Sequence, residues 1–449
     1  MKKKTMTVVG AGLCGTLLAL RLAQRGYQVQ LFEKLPDMRT TELGAGRSIN
    51  LALSDRGFKA LRMAGLEDEI REVVIPMRGR LIHKLDGEQW LSPYSGRAHE
   101  FINSVSRPGL NIALLNAAEQ LDNIDIYFRH KCLGVDLDSG TVRFGRADRK
   151  EMIVEADYVF GTDGAGSAVR RSIFARSAEL RFDYAQDFLD HGYKELTIPP
   201  AAGGGWRIEK NALHIWPRQD YMLIALPNLD GSFTVTLFLA FDGEPGFNQL
   251  TAGANVRAFF NDVFPTAAAH MPGLVEEFFD NPTGILGTIK CYPWRAGKAL
   301  LMGDAAHAIV PFYGQGMNCA LEDVWYLDQL LDQHGEDWDT VLDAYQAGRK
   351  QDTDAIADLA LENYYEMRDH VDNPDFRLKR QLEMQLEATY PEYSSKYNLV
   401  TFNEDIPYSE ALQHGHAQDA YLLDLCRGRK SVEEFDLGRL FRELGELNP

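Results

Sequence analysis

The sequence predicts an α/β fold, α+β overall, in three parts: a domain of alternating strands and helices, a domain built on an antiparallel sheet, and a C-terminal helical region. Three observations predict it. A glycine-rich turn links a short strand to a helix near the N-terminus, residues 182–290 show longer strands separated by turns, and helical periodicity dominates after residue 315.

The N-terminal region begins with a predicted βαβ unit. Residues 5–9 are rich in β-branched side chains, a helix then runs to Arg25 and ends at Gly26, and residues 27–32 alternate as a second strand. The elements predicted after it are two short helices within 53–75 separated by Gly65, an extended stretch over 82–90 with a hairpin turn at Asp86-Gly87, a helix over 111–121, and strands over 124–128, 133–137, 141–144 and 157–160.

The pattern changes after residue 182 to strands connected by turns, and it changes again to helices after residue 315. The predicted elements are strands over 193–198, 212–216, 221–225, 233–241 and 299–302, and helices over 319–332, 339–370 and 376–390. The predicted domains are a discontinuous α/β domain of residues 1–80, 97–180 and 288–335, an antiparallel-sheet domain of residues 81–96 and 181–287, and a helical region of residues 336–449 that closes the ligand pocket.

Composition excludes several classes of protein. The 449-residue chain is 45% hydrophobic, enough for a sizeable core, and its net charge of −18 argues against nucleic acid or an anionic membrane as a partner. Its five cysteines are scattered without a C-x-x-C pair, so we predict no disulfide framework and no zinc site, and we expect a cytoplasmic location. Glycines and Arg21 interrupt the apolar run after the basic start, and no run of roughly 18 apolar residues occurs, so neither a secretion signal nor a membrane span is predicted.

The first turn carries the pattern Gly10-x-Gly12-x-x-Gly15, and Glu33 follows the second strand. In this context Gly10 permits the turn, Gly12 lets the backbone approach a pyrophosphate, and Gly15 allows the helix to pack on the strand. Glu33 can accept hydrogen bonds from an adenosine ribose. The alternative is a plain glycine-rich turn with a solvated glutamate, which the matched spacing disfavours. The motif predicts a bound dinucleotide but does not separate NAD from FAD.

Two later segments favour FAD. Asp163 lies in Gly-Thr-Asp-Gly after a predicted strand, and Gly303-Asp304 leads into the loop Pro-Phe-Tyr-Gly-Gln-Gly-Met-Asn that ends at Asn318. Extended FAD has a ribityl chain whose hydroxyl groups a carboxylate such as Asp304 can hold, and the loop before Asn318 can direct backbone N–H groups at a flavin ring. Taken alone, Gly303-Asp304 could be a helix N-cap and turn.

These three motifs resemble the class A, single-component flavoprotein aromatic hydroxylases, typified by para-hydroxybenzoate hydroxylase. The resemblance implies a tightly bound, non-covalent FAD and NADPH as a transient co-substrate that docks without a second nucleotide-binding domain. Asp163 is the residue implied in both functions.

Further segments, as far as about residue 410, resemble a narrower family, the kynurenine 3-monooxygenases. These segments are 46–53, 77–80, 191–196, 211–217, 225–228, 233–239, 361–364 and 399–402. The implied reaction is the NADPH- and O2-dependent hydroxylation of L-kynurenine to 3-hydroxy-L-kynurenine through a flavin hydroperoxide, in tryptophan degradation. Eukaryotic members have a C-terminal membrane-anchoring segment, and the polar, acidic residues 435–449 do not resemble one. The expectation is therefore a soluble, bacterial-type protein, monomeric or homodimeric.

The resemblance also implies the residues of the site. No residue is implied as a catalytic acid or base or as a metal ligand, because the aniline nitrogen of the substrate activates its own ring. The implied FAD-binding residues are Gly10, Gly12, Leu13, Gly15, Glu33, Ala52, Arg107, Asp163, Asp304, Met317 and Asn318. The implied substrate-binding residues are Arg80, Tyr94, Asn363 and Tyr397 at the amino-acid end, Phe238 and Phe312 at the ring, and Gln315 near the substrate carbonyl.

Read without the resemblance, most of these substrate-binding residues would have ordinary structural roles. Arg80 offers a planar fork that suits a carboxylate, yet most arginines are simply exposed. Some bacterial relatives have histidine in place of Tyr313, so no imidazole role is implied there. His307 is expected to be structural, and the pair His414-x-His416 lacks further metal ligands at ordered spacing.

Three other functions stay open. The first is a class A hydroxylase of another anionic aromatic acid, such as a salicylate-like substrate. The second is a flavoprotein without hydroxylase activity, acting as an electron carrier or a reductase of isoprenoid double bonds. The third is a dinucleotide-sensing regulator. Comparison of kynurenine with anthranilate binding tests the first, acceleration of NADPH oxidation by an aromatic acid tests the second, and uptake of FAD tests the third.

Overall fold

The computed structural model describes residues 3–40, 50–146, 148–366 and 373–447. The strands in these residues are β1 (Thr5–Val9), β2 (Gln28–Phe32), β3 (Asn50–Leu53), β4 (Ile75–Met77), β5 (Gly79–His83), β6 (Gln89–Pro93), β7 (Ile102–Ser106), β8 (Ile124–Tyr127), β9 (His130–Asp136), β10 (Thr141–Arg146), β11 (Glu151–Glu155), β12 (Tyr158–Gly161), β13 (Asp183–Ile198), β14 (Leu213–Arg218), β15 (Tyr221–Pro227), β16 (Phe233–Ala240), β17 (Thr283–Tyr292), β18 (Arg295–Ala296) and β19 (Ala299–Leu301).

Helices connect and cover these strands. The α-helices are α1 (Leu13–Gln24), α2 (Asp55–Met63), α3 (Glu67–Arg71), α4 (Arg107–Glu119), α5 (Ala168–Phe174), α6 (Ser177–Leu180), α7 (Gly253–Val263), α8 (Pro265–Ala268), α9 (Leu274–Asp280), α10 (Asp304–His307), α11 (Gly316–His334), α12 (Trp338–Tyr365), α13 (Pro374–Thr389), α14 (Lys396–Thr401), α15 (Tyr408–Cys426) and α16 (Leu437–Leu447). Short 3-10 helices span Phe247–Gln249, Pro311–Tyr313 and Val432–Glu434.

A six-stranded sheet forms the first layer of the fold, in the order β18-β19-β12-β1-β2-β8. The strands β19, β12, β1, β2 and β8 run parallel, and only β18 is antiparallel to its neighbour. β19 is fully buried and β12 nearly so, as expected for parallel strands covered on both faces. This arrangement brings the carboxyl ends of β1, β12 and β19, which lie far apart in sequence, to the same edge of the sheet.

A seven-stranded sheet forms the second layer, in the order β17-β13-β16-β15-β14-β5-β6. All its pairings are antiparallel except the parallel pair β14–β5. One face packs on α7 and α9 through an apolar cluster, and the other face contacts α12 and the 3-10 helix at Pro311–Tyr313. Two small antiparallel sheets, β3-β7-β4 and β11-β10-β9, complete the strands.

The C-terminal helices pack on one another and beside the seven-stranded sheet. α13, α15 and α16 share a small apolar cluster, in which the rings of Tyr390 and Phe441 stack at 4.3 Å. Among the described residues, we find no helix with the length and apolar character needed to cross a lipid bilayer.

The predicted fold class is confirmed, and so are the βαβ unit, the two helices around Gly65 and the hairpin at Asp86-Gly87. The sequence did not predict β17, the first half of β13 or the helices α7 to α9. Residues 46–49 of one family segment and residues 367–370 of the predicted helix 339–370 lie outside the described residues. The domain boundaries stay a prediction; the seven-stranded sheet takes its strands from 79–93, 183–240 and 283–292.

Candidate active site

The glycines of the first turn differ in what surrounds them. Gly10 has a φ of +102°, and a Cβ there would lie 2.6 Å from the Thr162 carbonyl oxygen. A Cβ at Gly15 would lie 2.0 Å from the carbonyl oxygen of Gly10, because α1 packs directly on the turn. A Cβ at Gly12 would meet no heavy atom within 4 Å. The protein itself therefore requires glycine at positions 10 and 15, whereas the backbone at Gly12 is open to a ligand.

Glu33 lies beside this turn. Its Oε2 accepts a hydrogen bond of 2.9 Å from the backbone N–H of Ala11, and its Oε1 accepts one of 2.8 Å from Leu35. Asn111 supports the other side of the turn, donating from Nδ2 to the Ala11 carbonyl at 2.9 Å. Leu13 is buried as the first residue of α1. The carboxylate of Glu33 is thus held where a Rossmann-type turn receives an adenosine ribose.

Asp304 begins α10 directly after β19, and its side chain is exposed. The preceding Gly303 has a φ of +57°, and a Cβ there would lie 3.3 Å from Cys14 in the first turn of α1. Met302 donates a backbone hydrogen bond of 3.0 Å to Gly161 at the end of β12. The segment after Met302 therefore lies next to the first βαβ unit, although nearly 300 residues of sequence separate them.

Asp163 has a different environment from Asp304. Its carboxylate accepts hydrogen bonds from the Ser167 hydroxyl and from the backbone N–H of Ala168 at 2.6 Å, so it stabilises the start of α5. Arg170 in the same helix donates to the Ala305 carbonyl at 2.7 Å. The Asp163 side chain is therefore engaged by its own helix, which it anchors beside the turn at Asp304.

The loop that leads into α11 is closed by Asn318. This fully buried side chain accepts a hydrogen bond of 3.0 Å from Ser54 N–H and donates to the carbonyls of Ala52 and Gly314, each at 2.9 Å. Because the side chain of Asn318 is engaged by protein, the groups left for a ligand are backbone amides. The first N–H groups of a helix, here including Met317, have no acceptor within the helix.

Arg107 begins α4 and its side chain is exposed. It forms no hydrogen bond or ion pair with the residues that the structure describes, and it lies close enough to Tyr193 to influence its phenol. It is thus a cation available to an anionic ligand such as a diphosphate.

Together these features fit an extended FAD. The open backbone at Gly12, the carboxylate of Glu33 and the helix N-terminus of α1 suit the adenosine and pyrophosphate half. The exposed carboxylate of Asp304 and the amides at the start of α11 suit the ribityl and flavin half. The fit rests on two observations. The space beside Gly12 is open, and the backbone at Gly303 is so close to Cys14 that an added Cβ would lie 3.3 Å from it.

A separate cavity of about 170 Å³ surrounds Arg80 on β5. Its guanidinium carbon lies 5.4 Å from the centroid of the Tyr94 ring and 4.9 Å from that of Tyr397. The two rings stack at 5.5 Å, and the ring of Tyr313 stacks on Tyr397 at 5.6 Å. Asn363 also lines the cavity. The fold therefore brings together the four residues predicted at the amino-acid end of the substrate. They are scattered over 318 positions of the sequence, from Arg80 to Tyr397.

The charges of this cavity leave Arg80 unpaired. Lys396 contacts Glu366 at 2.6 Å, and Lys379 and Arg380 each contact Glu383 at 3.3 Å. Among the described residues, no carboxylate oxygen lies within 4.0 Å of the Arg80 guanidinium. A buried or half-buried cation without an anion is unfavourable, so the cavity is suited to an anionic group of a ligand.

The shifted pKa values keep Arg80 charged and the phenols of Tyr94 and Tyr397 neutral. Burial acts to lower the pKa of Arg80, but the phenols of Tyr397, Tyr94 and Tyr313 and the carboxylate of Glu366 raise it overall. Burial also raises the pKa of Tyr94 and Tyr397, so both phenols are neutral at pH 7 and can donate hydrogen bonds. The Tyr94 hydroxyl is buried, and no hydrogen bond of good geometry satisfies it within the described residues.

The remaining predicted residues have distinct places. Phe238 and Phe312 are not among the residues that line the cavity. They are buried with ring centroids 5.1 Å apart, and the Phe312 carbonyl accepts a 2.7 Å hydrogen bond from Asn363, which does line it. The side chain of Gln315 is not brought to the cavity, because its Oε1 accepts hydrogen bonds from Tyr408 at 3.1 Å and Ser54 at 3.4 Å.

Sequence reasoning missed most of the charged lining. The missed charged residues of the cavity are Glu366, Arg377, Lys379, Arg380, Glu383 and Lys396. A lysine and a glutamate at positions 379 and 383 were a signal, because they fall on a face of α13 that otherwise carries leucines.

A pair of histidines lies on β5, the strand that carries Arg80, and on its neighbour β14. His83 Nε2 and His214 Nδ1 are 2.9 Å apart, and His214 Nε2 donates to the Glu209 carbonyl at 2.7 Å. When both rings are neutral, His214 Nδ1 accepts from His83 Nε2. Burial, His214 and Arg218 lower the pKa of His83 to about 3, and burial lowers the pKa of His214 to about 4, with only partial opposition from the Glu209 hydrogen bond.

This pair predicts acid lability. In the unfolded chain both imidazoles take up protons below about pH 6.5, whereas the folded protein excludes them, so the free energy of unfolding falls as the pH drops from about 6.5 to 4. The slope is up to about 1.4 kcal/mol per pH unit for each ring. Urea unfolding at a series of pH values should show a shallower acid limb in His83→Gln, which retains an N–H donor for His214. An unchanged slope would mean that the pair is already protonated in the folded protein.

Known proteins match the chain closely. The family model described as FAD binding domain matches residues 3–203 and 270–360. A kynurenine 3-monooxygenase from Myxococcus xanthus is 47% identical over 441 residues, covering 98% of this chain and 94% of that protein. Those from Xanthomonas axonopodis pv. citri and Dictyostelium discoideum are 46% and 44% identical, covering 98% and 97% of this chain and 96% of each relative.

Solved structures share the fold at lower identity. 2-Methyl-3-hydroxypyridine-5-carboxylic acid oxygenase superposes with a TM-score of 0.65 at 22% identity, over 86% of this chain and 98% of that chain. PqsL from Pseudomonas aeruginosa, in complex with 2-aminobenzoylacetate, gives 0.63 at 18% identity, over 82% and 97% of the two chains. The full-length relatives and the matched domain together show that the chain belongs to the kynurenine 3-monooxygenase family of FAD-dependent monooxygenases.

Proposed function

We propose that this protein converts L-kynurenine, NADPH, O2 and a proton to 3-hydroxy-L-kynurenine, NADP+ and water, with FAD as its tightly bound, non-covalent cofactor. Membership of the family supports the reaction, and the chemistry of the Arg80 cavity supports the substrate. The product would enter tryptophan degradation and the supply of quinolinate for NAD synthesis.

The unpaired guanidinium of Arg80 carries the proposal. It lies against two stacked tyrosine rings and has no carboxylate within 4.0 Å among the described residues. The carboxylate of an amino acid supplies the missing anion, and arginine can bind it through two parallel hydrogen bonds. The neutral phenols of Tyr94 and Tyr397 can add donors to the same carboxylate.

The rest of the amino-acid group has partners of the right charge. Glu366 lines the cavity and influences Arg80 without pairing with it. We assign the substrate ammonium to the side of the cavity that Glu366 forms, with Asn363 beside it. A zwitterionic ligand then adds one charge of each sign, which leaves the balance of the cavity unchanged.

The aromatic half of the substrate needs a dry, apolar environment. We assign the apolar walls to Phe238 and Phe312, which are buried with their ring centroids 5.1 Å apart. Because the aniline nitrogen of kynurenine activates the adjacent ring carbon, the protein has to orient the ring and exclude water rather than supply an acid or base. When bound, FAD supplies the chemistry of NADPH oxidation and O2 activation, and Gly12, Glu33, Asp304 and the amides at the start of α11 would hold it.

Two further features of the protein belong to the proposal. We place NADPH docking near Asp163, and we assign Arg107, a cation available to a phosphate, to the diphosphate of FAD. We also propose a cytoplasmic location, supported by five cysteines that are all free and buried. A monomer or homodimer stays a prediction.

A turnover experiment tests this function. The FAD-loaded protein is mixed with NADPH under air, with and without L-kynurenine, and the product is identified by mass and retention time. We expect L-kynurenine to accelerate NADPH oxidation and to yield 3-hydroxy-L-kynurenine. Anthranilate, which has the aniline ring without the amino-acid group, serves as the matched control and should accelerate it far less.

The other outcomes have specific meanings. Equal stimulation by anthranilate or salicylate would replace L-kynurenine with another anionic aromatic acid. NADPH oxidation that no aromatic compound accelerates would support a flavoprotein without hydroxylase activity. A protein that cannot take up FAD would contradict the proposal as a whole.

A further inference from the structure

Arg56 is a buried arginine outside both the FAD-facing turns and the Arg80 cavity. It lies in α2, and only 1% of its surface is exposed. An arginine is rarely buried so completely without paired partners, so its contacts are informative. They connect three parts of the protein that are far apart in sequence.

The guanidinium of Arg56 binds the end of α14. Its Nε donates to the Val400 carbonyl at 2.8 Å, and its Nη2 donates to the carbonyls of Leu399 at 3.2 Å and Ile406 at 2.8 Å. The last carbonyls of a helix have no partner within the helix, and a positive charge there is favourable. Arg56 therefore acts as a C-terminal cap for α14, supplied by a distant helix.

This cap matters because α14 is short. It spans only six residues, Lys396–Thr401, and a helix of that length is not stable without tertiary contacts. Its first turn carries Lys396 and Tyr397, both of which line the Arg80 cavity. The position of Tyr397 over the Arg80 guanidinium therefore depends on what holds the other end of α14.

The same guanidinium also contacts α11, the helix whose first amides suit the flavin. Its Nη1 contacts Glu322 of α11 at 3.0 Å, and the second oxygen of Glu322 contacts Arg349 at 3.0 Å. The guanidinium carbon also lies 4.0 Å from the ring centroid of Tyr408, whose hydroxyl donates to Gln315 at the start of α11. Arg56 thus fixes α14 relative to α11.

We propose that Arg56 is a positioning residue for the substrate: it holds Tyr397 in place beside Arg80 and relative to the start of α11. The inference rests on the proposed function, because it concerns the binding of L-kynurenine. Arg56 itself touches neither the cavity nor the residues assigned to FAD.

The variant Arg56→Lys tests this role. Lysine keeps a positive charge near Glu322, but a single ammonium cannot replace a planar fork that reaches three carbonyls. We expect L-kynurenine, titrated against the flavin absorbance of the FAD-loaded protein, to bind about tenfold more weakly, with unchanged FAD content. The matched control is Arg62→Lys in the same helix, whose partly exposed side chain pairs with Glu67 and Glu404, and it should bind like the parent protein.

A double-mutant cycle separates positioning from general destabilisation. If Arg56 acts through Tyr397, then Arg56→Lys should weaken binding by less than about twofold when it is introduced into Tyr397→Leu, which removes both the ring and its hydroxyl. Additive losses, parental affinity in Arg56→Lys, or a loss of FAD in step with kynurenine would each overturn the inference. Failure of the parent protein to bind L-kynurenine would instead refute the proposed function, and this inference with it.

Discussion

Arg80→Met should weaken L-kynurenine binding by about 2–4 kcal/mol, which is roughly 30- to 900-fold in Kd, while FAD content stays at the parental level. The loss is large because the substrate carboxylate would be left buried without its cation. The fold should tolerate the change, because Arg80 has no carboxylate partner within 4.0 Å among the described residues and its removal leaves no buried anion unpaired. Titration of the flavin absorbance with L-kynurenine measures the effect.

Arg78→Met is the matched control for this prediction. Arg78 lies two positions earlier, is exposed, and contacts the ring of Phe101 at 5.1 Å, away from the cavity lining. It should bind L-kynurenine normally. If both variants lose affinity equally, the effect of Arg80 is one of general surface charge. If Arg80→Met loses FAD, the arginine serves the cofactor instead of the substrate.

Gly12→Ala should produce a folded protein that binds FAD about 5- to 150-fold more weakly than the parent protein. A Cβ at this position meets no protein atom within 4 Å, and the φ of −75° is accessible to alanine, so the apoprotein should unfold at the parental temperature. The methyl group would stand where the pyrophosphate approaches the turn, and such overpacking costs about 1–3 kcal/mol. FAD content after purification and a fluorescence titration of the apoprotein with FAD measure the loss.

Alanine substitutions at two other glycines serve as controls for Gly12→Ala. Gly445→Ala also adds a Cβ in open space, but in α16, and it should leave FAD binding unchanged. Gly15→Ala places its Cβ 2.0 Å from the Gly10 carbonyl oxygen, so it should destabilise the apoprotein itself. Parental FAD affinity in Gly12→Ala would show that the diphosphate does not pass this turn.

Much of the fold could be predicted because its signals are local. The strands β1 and β2 are short apolar or alternating runs followed by Gly10 and Glu33, and the glycine spacing shows the turn between strand and helix. The first half of β13 gave no such signal, because most of its residues from 183 to 190 are exposed. Pairing with β17 rather than burial makes this segment a strand.

The candidate site was harder to predict than the fold. Its FAD-facing turns appear as sequence motifs, because Gly10 and Gly303 have positive φ angles and Asp163 accepts a hydrogen bond from a backbone N–H. The charges of the substrate cavity depend on pairs such as Lys396 with Glu366, and a single sequence does not show which distant residues meet. The orientation of the Gln315 side chain likewise depends on distant residues, because Ser54 and Tyr408 donate hydrogen bonds to it.

A crystal structure of the protein with FAD and L-kynurenine tests the central claim most directly. It should show the substrate carboxylate hydrogen-bonded to the Arg80 guanidinium between Tyr94 and Tyr397, with its aromatic ring against Phe238 and Phe312. A substrate carboxylate bound elsewhere, with Arg80 still unpaired, would contradict the assignment of this cavity.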